Sequence, residues 1–300
     1  MLNTSKVVIG TWPLSGDFGR INKKEVYKTL EHCLKVGFKE FDTAPNYGGG
    51  AMESIIGEVF EGVDDISINT KCGNHLNNKK DFSATALKSS LYRSLDRLRI
   101  NSIKTLFLHN PRDEIKSLLE LKDFFKHEKV NGRIKYSGLS LAKDFHYSSN
   151  EVNYFDALQN DLNLLYLKPF LESQAKTKVY YARSPLATGL LSGRITKDTT
   201  FPKDDFRSTW LKGERLESLV KRVKRLDSIT NIPISSLARR FLLQQKFPNK
   251  VIFGVKNHHH VNDILNDLKT EPLKNTIVQE IIMLYKQDFG LPKNQQSLGY

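Results

Sequence analysis

Apolar and polar residues alternate along this chain in two periods, and the two periods take turns. Eight short runs rich in Val, Ile, Phe and Tyr read as β-strands, at 7–12, 39–43, 66–70, 105–109, 134–140, 157–162, 178–184 and 251–255. Between them, apolar residues recur every three or four positions. Over 23–36, Val26, Leu30, Cys33 and Leu34 share one helical face. Over 83–99, Leu87, Leu91, Leu95 and Leu98 do the same, with Ser83 placed to cap the first turn. The segments 115–129 and 233–246 repeat the pattern. Strand–helix alternation carried through eight strands predicts a parallel sheet with helical crossovers.

An open, doubly wound sheet usually carries a glycine-rich phosphate turn after its first strand. Here that strand runs into Ile9-Gly10-Thr11-Trp12, and Gly48-Gly49-Gly50 after the second strand lacks the G-x-G-x-x-G spacing. The strand count therefore favours a closed α/β architecture, a (β/α)8 TIM barrel. It is expected as a single domain over 1–300, with long loops at the C-terminal strand ends. Segments 190–232 and 272–300 fall outside the simple repeat. Residues 289–300, with their Gly and Gln, read as a loop or mobile tail.

In such a barrel the chemistry gathers where the strands end. Asp42, Tyr47, Lys71 and His109 all stand at or just beyond the ends of β-prone runs. Buried beside apolar strands, such groups need one another as partners. Taken singly they read as a loop tyrosine, a structural ion pair and a core histidine. Together at successive strand ends they make a proton-delivery system. A phenol ionises at about pH 10, too high for proton transfer near neutrality without help. A Lys71 ammonium would favour the phenolate, and Asp42 would keep that lysine charged. A Schiff-base lysine must be neutral to attack, so Asp42 and Tyr47 argue against a phosphosugar isomerase or lyase.

Composition narrows the partners. The 300 residues are 39% apolar and 26% charged, and no apolar run approaches the ~20 residues of a membrane helix. The N-terminus enters a strand-like run at once, without the pattern of a signal peptide. Two cysteines, Cys33 and Cys72, are too few for a disulfide framework and point to a reducing, cytoplasmic compartment. Cys72 reads as a small buried hydrophobe. The net charge of +13 is spread among acids, as in 221–227, which reads as a solvated helix face. No nucleic-acid signature is present, although the basic field suits a phosphate-bearing ligand. Neither nucleic acid nor membrane is expected as a partner, and oligomeric state has no signal.

Three motifs sharpen the chemistry. Phe41-Asp42-Thr43-Ala44-Pro45-Asn46-Tyr47-Gly48 with Glu53-Ser54-Ile55-Ile56-Gly57, then Asn69-Thr70-Lys71-Cys72-Gly73, then Leu106-Phe107-Leu108-His109-Asn110-Pro111 resemble the signatures of the aldo-keto reductase superfamily, in that family's order. The resemblance implies an enzyme that reduces an aldehyde or ketone, sugar-derived ones included, by direct hydride transfer from a nicotinamide, usually NADPH. Tyr47 would be the acid, Lys71 its tuner, Asp42 the lysine's partner, and His109 the donor that polarises the carbonyl. Trp12, Tyr47 and His109 would touch the substrate.

The same resemblance assigns cofactor positions. Gly10, Thr11, Trp12 and Asp42 would contact the cofactor, and Ser140 and Gln159 would hold its nicotinamide carboxamide. Ser184, Pro185, Leu186, Thr188 and Gly189 would form the pyrophosphate loop. Gly254, Lys256, Asn257, His260 and Asp263 would surround the adenosine 2′-phosphate, where Lys256 and a helix N-terminus attract an anion. NADP is favoured over NAD. The chain departs from the family at Leu141, where Asn is frequent, at Arg183, where a stacking tyrosine is frequent, and at Asn257 and His260. An arginine can also lie flat against an aromatic ring. These departures keep open a non-catalytic, nicotinamide-binding redox sensor or regulatory subunit of the same fold. His258, His259 and His260 point apart on a helix start, and no metal is expected. Substrate loops are expected at 12–20, 73–82, 201–213 and the tail. Trp12, Phe18 and Trp210 are candidates for an apolar wall, and Asp17 and Arg207 for polar contacts.

Overall fold

A computed structural model of the chain describes residues 4–74, 79–112, 115, 121–142, 147–172, 179–292 and 300. The strands are β1 (Val7–Gly10), β2 (Glu40–Asp42), β3 (Ser67–Cys72), β4 (Ile103–His109), β5 (Ile134–Ser140), β6 (Ala157–Asp161), β7 (Val179–Arg183) and β8 (Lys250–Gly254). Each pairs in parallel with the next, and β8 returns to β1, so the sheet closes into the expected (β/α)8 barrel. The helices among the described residues are α1 (Lys23–Lys35), α2 (Ala51–Phe60), α3 (Ala84–Leu98), α4 (Lys122–Val130), α5 (Ser149–Tyr154), α6 (Lys168–Glu172), α7 (Gly213–Asp227), α8 (Ile234–Gln244), α9 (His258–Lys269) and α10 (Asn275–Lys286). Ser83 does cap α3, accepting from Ala86 N, and Asn22 caps α1 by accepting from Lys24 N. Of the helix expected at 115–129, residues 116–120 lie outside the described residues, and α4 covers 122–129. The segments outside the repeat contain α7 and α10.

Closure turns the two-residue period of each strand into an inside and an outside. On β4, Leu106 and Leu108 join the layer under the helices, whereas Phe107 packs inside the barrel with Val8, Ala157, Tyr181 and Ile252. Burying a side chain of this kind contributes about 1.5–3 kcal/mol. Phe107 also explains a glycine in the neighbouring strand: a Cβ at Gly138 would lie 2.3 Å from its ring.

The same alternation places Glu40 two residues before Asp42 on the inner face. Near the N-terminal strand ends its carboxylate accepts from Lys104 (2.7 Å), Lys250 (2.8 Å), Asn69 (2.9 Å) and Tyr181 (3.0 Å). Burial works against that charge, but the two lysines and Asn69 outweigh it and hold Glu40 below the usual carboxylate range. One charge read as solvated from the sequence is not. Lys221, Lys224 and Arg225 are exposed, but Arg222 is 1% exposed and pairs with Asp288 at 3.1 Å. On an amphipathic helix every third or fourth residue turns inward, whatever its charge.

Candidate active site

At the C-terminal strand ends the inner-face polar residues converge on a cavity of about 920 Å³. Lys71 Nζ, from β3, donates to Asp42 Oδ1 (2.7 Å), to the Thr43 carbonyl (2.7 Å) and to the Tyr47 hydroxyl (3.3 Å). Those three acceptors use all three ammonium protons. The other Asp42 oxygen accepts from Gln159 Nε2 at 2.9 Å, so β6 supports β2 across the barrel. Tyr47 reaches the lysine from a turn after β2, in which Gly48, Gly49 and Gly50 have φ of 57°, 61° and 93° before α2 begins. Glycine, with no Cβ to clash, takes up such a run at least cost. Trp12 stacks on Tyr47 with centroids 5.8 Å apart, and the His109 ring stands 6.4 Å from Tyr47 and nearly perpendicular to it.

The charges follow from these contacts. Burial works against the Lys71 ammonium, but Asp42 and then Tyr47 outweigh it and hold the lysine above its ordinary value. Tyr47 departs from the simple expectation. Burial raises its phenol, Lys71 pulls it back only in part, and the net direction is upward. His109 is held well below an ordinary histidine, first by burial and then by the cations of Lys71, Arg183 and Lys80. At neutral pH it is an uncharged imidazole.

Most of the predicted surroundings line the same cavity. Gly10, Trp12 and Gln159 do so beside the Lys71 cluster, and the loop after β7 adds Ser184, Pro185, Leu186, Thr188 and Gly189. Gly254, Lys256, His260 and Asp263 line it beyond β8. A side chain at Gly254 would strike Pro13 at 2.7 Å. Thr11, Ser140 and Asn257 are not among the lining residues. Thr11 Oγ1 donates to the Asp42 carbonyl (3.0 Å), Ser140 Oγ donates to Gln159 (3.0 Å), and Asn257 caps α9 by accepting from His260 N. Arg183 lines the cavity, but its guanidinium is bound to Asp161, Asn110, Ser140 and Leu141.

The proposed apolar wall is present: Trp12, Phe18 and Trp210 line the cavity, joined by Phe206. Asp17 instead accepts from Trp12 Nε1 (2.7 Å), and Arg207 is paired with Asp205 (2.6 Å). Cys72 is fully buried with its thiol pushed up by burial, and burial likewise pushes the Cys33 thiol up to about 12. His258 stacks on His259 (4.0 Å), whereas His260 Nδ1 accepts from Lys256 N. Among the described residues no group of three His, Cys, Asp or Glu could hold a metal ion.

Sequence reasoning passed over several lining residues, Asp161, Asn110 and Tyr300 among them. Asp161 had a signal, since it lies two residues beyond Gln159 on the inner face of β6. Asn110 has φ 52°, a conformation that Asn tolerates better than most residues. Tyr300 had none. It lies in the segment expected to be a loop or tail, of which 293–299 are outside the described residues. Its ring stands 6.4 Å from Trp210 and its hydroxyl interacts with Ser184 and Thr188.

Known proteins resemble this chain. The profile of the Aldo/keto reductase family matches residues 6–286. The L-galactose dehydrogenase of Arabidopsis thaliana is 30% identical over 210 residues, a match that spans 64% of each chain. The aldo-keto reductase YhdN of Bacillus subtilis is 25% identical, with 85% of this chain and 82% of the relative covered. Among solved structures, the glycerol dehydrogenase AKR11B4 from Gluconobacter oxydans superposes with a TM-score of 0.79 at 24% identity, covering 96% of this chain and 93% of that one. Closed barrel, strand-end cluster and profile agree, and the chain belongs to the aldo/keto reductase family of nicotinamide-dependent oxidoreductases.

Proposed function

We propose that this protein reduces a small polyhydroxylated aldehyde or ketone with NADPH, using Tyr47 as the acid. The contact of Lys71 with both Asp42 and the Tyr47 hydroxyl carries the reading. Bound reduced nicotinamide would supply a hydride to the carbonyl carbon. The carbonyl π pair then moves to oxygen, and that oxygen takes the Tyr47 proton. The phenolate left behind faces the Lys71 ammonium, which Asp42 keeps charged. General-acid help of this kind contributes about 10²–10⁴-fold. His109 donates to the carbonyl oxygen. Its Nδ1 is buried and has no hydrogen-bond partner, and an orphaned N–H is the rarer and costlier arrangement, so the proton belongs on Nε2.

The cavity suits a dinucleotide with a substrate beside it, since about 920 Å³ is at the upper end of small-molecule sites. Lys256, His260, Arg194 and Arg239 line its β8 side. Burial and Arg207 depress the Lys256 ammonium, and burial with Arg194, Arg239 and Lys256 depresses His260. Cations that crowd one another in this way favour an anion among them, as the 2′-phosphate of NADPH would be. Toward Tyr47 the lining offers the carboxamides of Asn46, Asn74 and Asn110 beside Trp12 and Trp210. Amides with aromatic faces match a sugar-derived carbonyl compound, in keeping with the L-galactose dehydrogenase relative. The reading takes 1–300 as one barrel domain in a cytoplasmic protein.

The test is oxidation of NADPH, followed by its absorbance, with a panel of aldoses, ketoses and simple aldehydes. Tyr47→Phe should bind NADPH, read by fluorescence, and lose most turnover. Full turnover in that variant removes the proposed acid. NADPH binding by the wild type without turnover on any carbonyl favours the sensor reading.

A further inference from the structure

His109 raises a question of aim. Its ring lines the cavity, yet Nδ1 makes no hydrogen bond, so no partner there fixes the imidazole. The next residue in the chain is, by contrast, tightly held. Asn110 sits at φ 52°, a left-handed conformation that Asn tolerates better than most residues with a Cβ but that its contacts must still select. Its N–H donates to the Ser140 carbonyl (3.0 Å) and its own carbonyl accepts from Lys80 (2.9 Å). Its side-chain oxygen accepts from Arg183 Nη1 (2.9 Å).

Arg183 is the hub of this arrangement. From the end of β7 it donates Nε to Asp161 on β6 (3.0 Å), Nη1 to Ser140 on β5 (2.9 Å) as well as to Asn110, and Nη2 to the Leu141 carbonyl (2.9 Å). One planar cation thus ties together the ends of β4, β5, β6 and β7. Only a guanidinium has donors spread in a rigid fork that reaches so many acceptors at once. We propose that Arg183 is a positioning residue for His109: it holds Asn110 in its left-handed turn and so aims the preceding imidazole at the carbonyl oxygen. The carbonyl part rests on the reductase reading above. Arg183 also places a cation near the imidazole. The charged and titratable groups around His109 are Tyr47 from the β2–α2 turn, Lys71 from β3 with its partner Asp42, Lys80 beyond β3, and Arg183 with its partner Asp161. Burial first, and then the cations among them, keep the ring neutral and therefore able to donate without carrying charge.

The proposal is tested on the cofactor-free protein, by the ¹⁵N signals of the His109 imidazole, assigned from their loss in His109→Gln. Arg183→Lys keeps the charge but cannot make the fourfold contact, so those signals should shift while the ring stays neutral through mildly acidic pH. The double variant Arg183→Leu with Asp161→Leu removes both charges without leaving one buried alone. In it the same signals should shift and the titration midpoint should rise. Asn110→Gly keeps the left-handed turn open to the backbone but cuts the link to Arg183, and it should reproduce the Arg183→Lys change. In turnover, both single variants should lose roughly 10-fold or more in kcat. If the His109 signals in all three variants match the wild type, Arg183 does not position the ring, and a contact with cofactor alone explains it. If the signals move but the wild type reduces no carbonyl, positioning stands and the reductase reading falls.

Discussion

Asp42→Asn probes the centre of the site with a change of one atom. Asp42 and Lys71 have side chains 5% and 2% exposed, in contact at 2.7 Å, and the substitution leaves the ammonium buried without a counter-charge. Removing one member of a buried pair costs about 3–5 kcal/mol. The asparagine oxygen can still accept from Lys71, which favours the lower figure, about 3 kcal/mol. The new amide, however, sets its N–H₂ against Gln159 Nε2, which now donates to Asp42. Turning Gln159 around repairs that clash and removes the acceptor that Ser140 uses. For a chain of this length unfolding entropy is about 0.6 kcal/mol per kelvin, so Tm should fall by about 5 °C. Turnover should fall by about 100-fold or more, because nothing then holds the lysine beside the proton donor charged and oriented.

The pH dependence separates this account from generic damage. In the wild type the Lys71 pKa lies above its unfolded value, so its stabilising effect is complete below about 10.5 and is lost as pH rises through the folded value. Without Asp42, burial prevails and the folded value drops below the unfolded one. The unfolded chain then binds the extra proton, and the variant gains stability as pH rises toward 10.5. The gap in Tm between the two proteins, followed by circular dichroism, should therefore narrow from pH 8 to pH 10. A gap that stays constant over that range, or wild-type turnover at pH 7, refutes the reasoning.

Two further outcomes concern the imidazole and the buried core. Because the folded state holds His109 well below 6.5, the unfolded chain takes up the proton first, and stability should fall as pH drops below 6.5. In His109→Gln that slope should flatten in acid-unfolding curves. Gly138→Ala forces a Cβ to within 2.3 Å of the Phe107 ring and should cost about 1–3 kcal/mol in urea unfolding, with Phe107→Leu in the same chain recovering part of it.

The barrel was legible because each strand must bury both faces against a core, which writes short apolar runs at regular intervals. The tetrad was legible for a related reason: Asp42, Lys71 and His109 stand on the inner face at the strand ends, in step with Glu40, Asn69 and Phe107 below them. Two expectations misjudged the environment rather than the position. Arg222, in a run read as a solvated face, turned out to be buried against Asp288, a partner 66 residues away. Tyr47, expected with a lowered phenol, has burial outweighing its lysine. Thr11, Ser140 and Asn257 were found near the site but behind its wall.

By itself, then, the order of residues determined the strand count, the inward or outward sense of each strand residue, and the proton chemistry available at the rim. Period and side-chain type are local properties, and a single chain displays them without folding. Which groups meet was decided only by closure of the barrel. Closure brings Gln159 to Asp42 over 117 residues of sequence, Arg183 to Asn110 over 73, and Tyr300 back to the loop after β7. Burial and partnership belong to the closed structure, because they depend on which strands become neighbours and how much water remains between them.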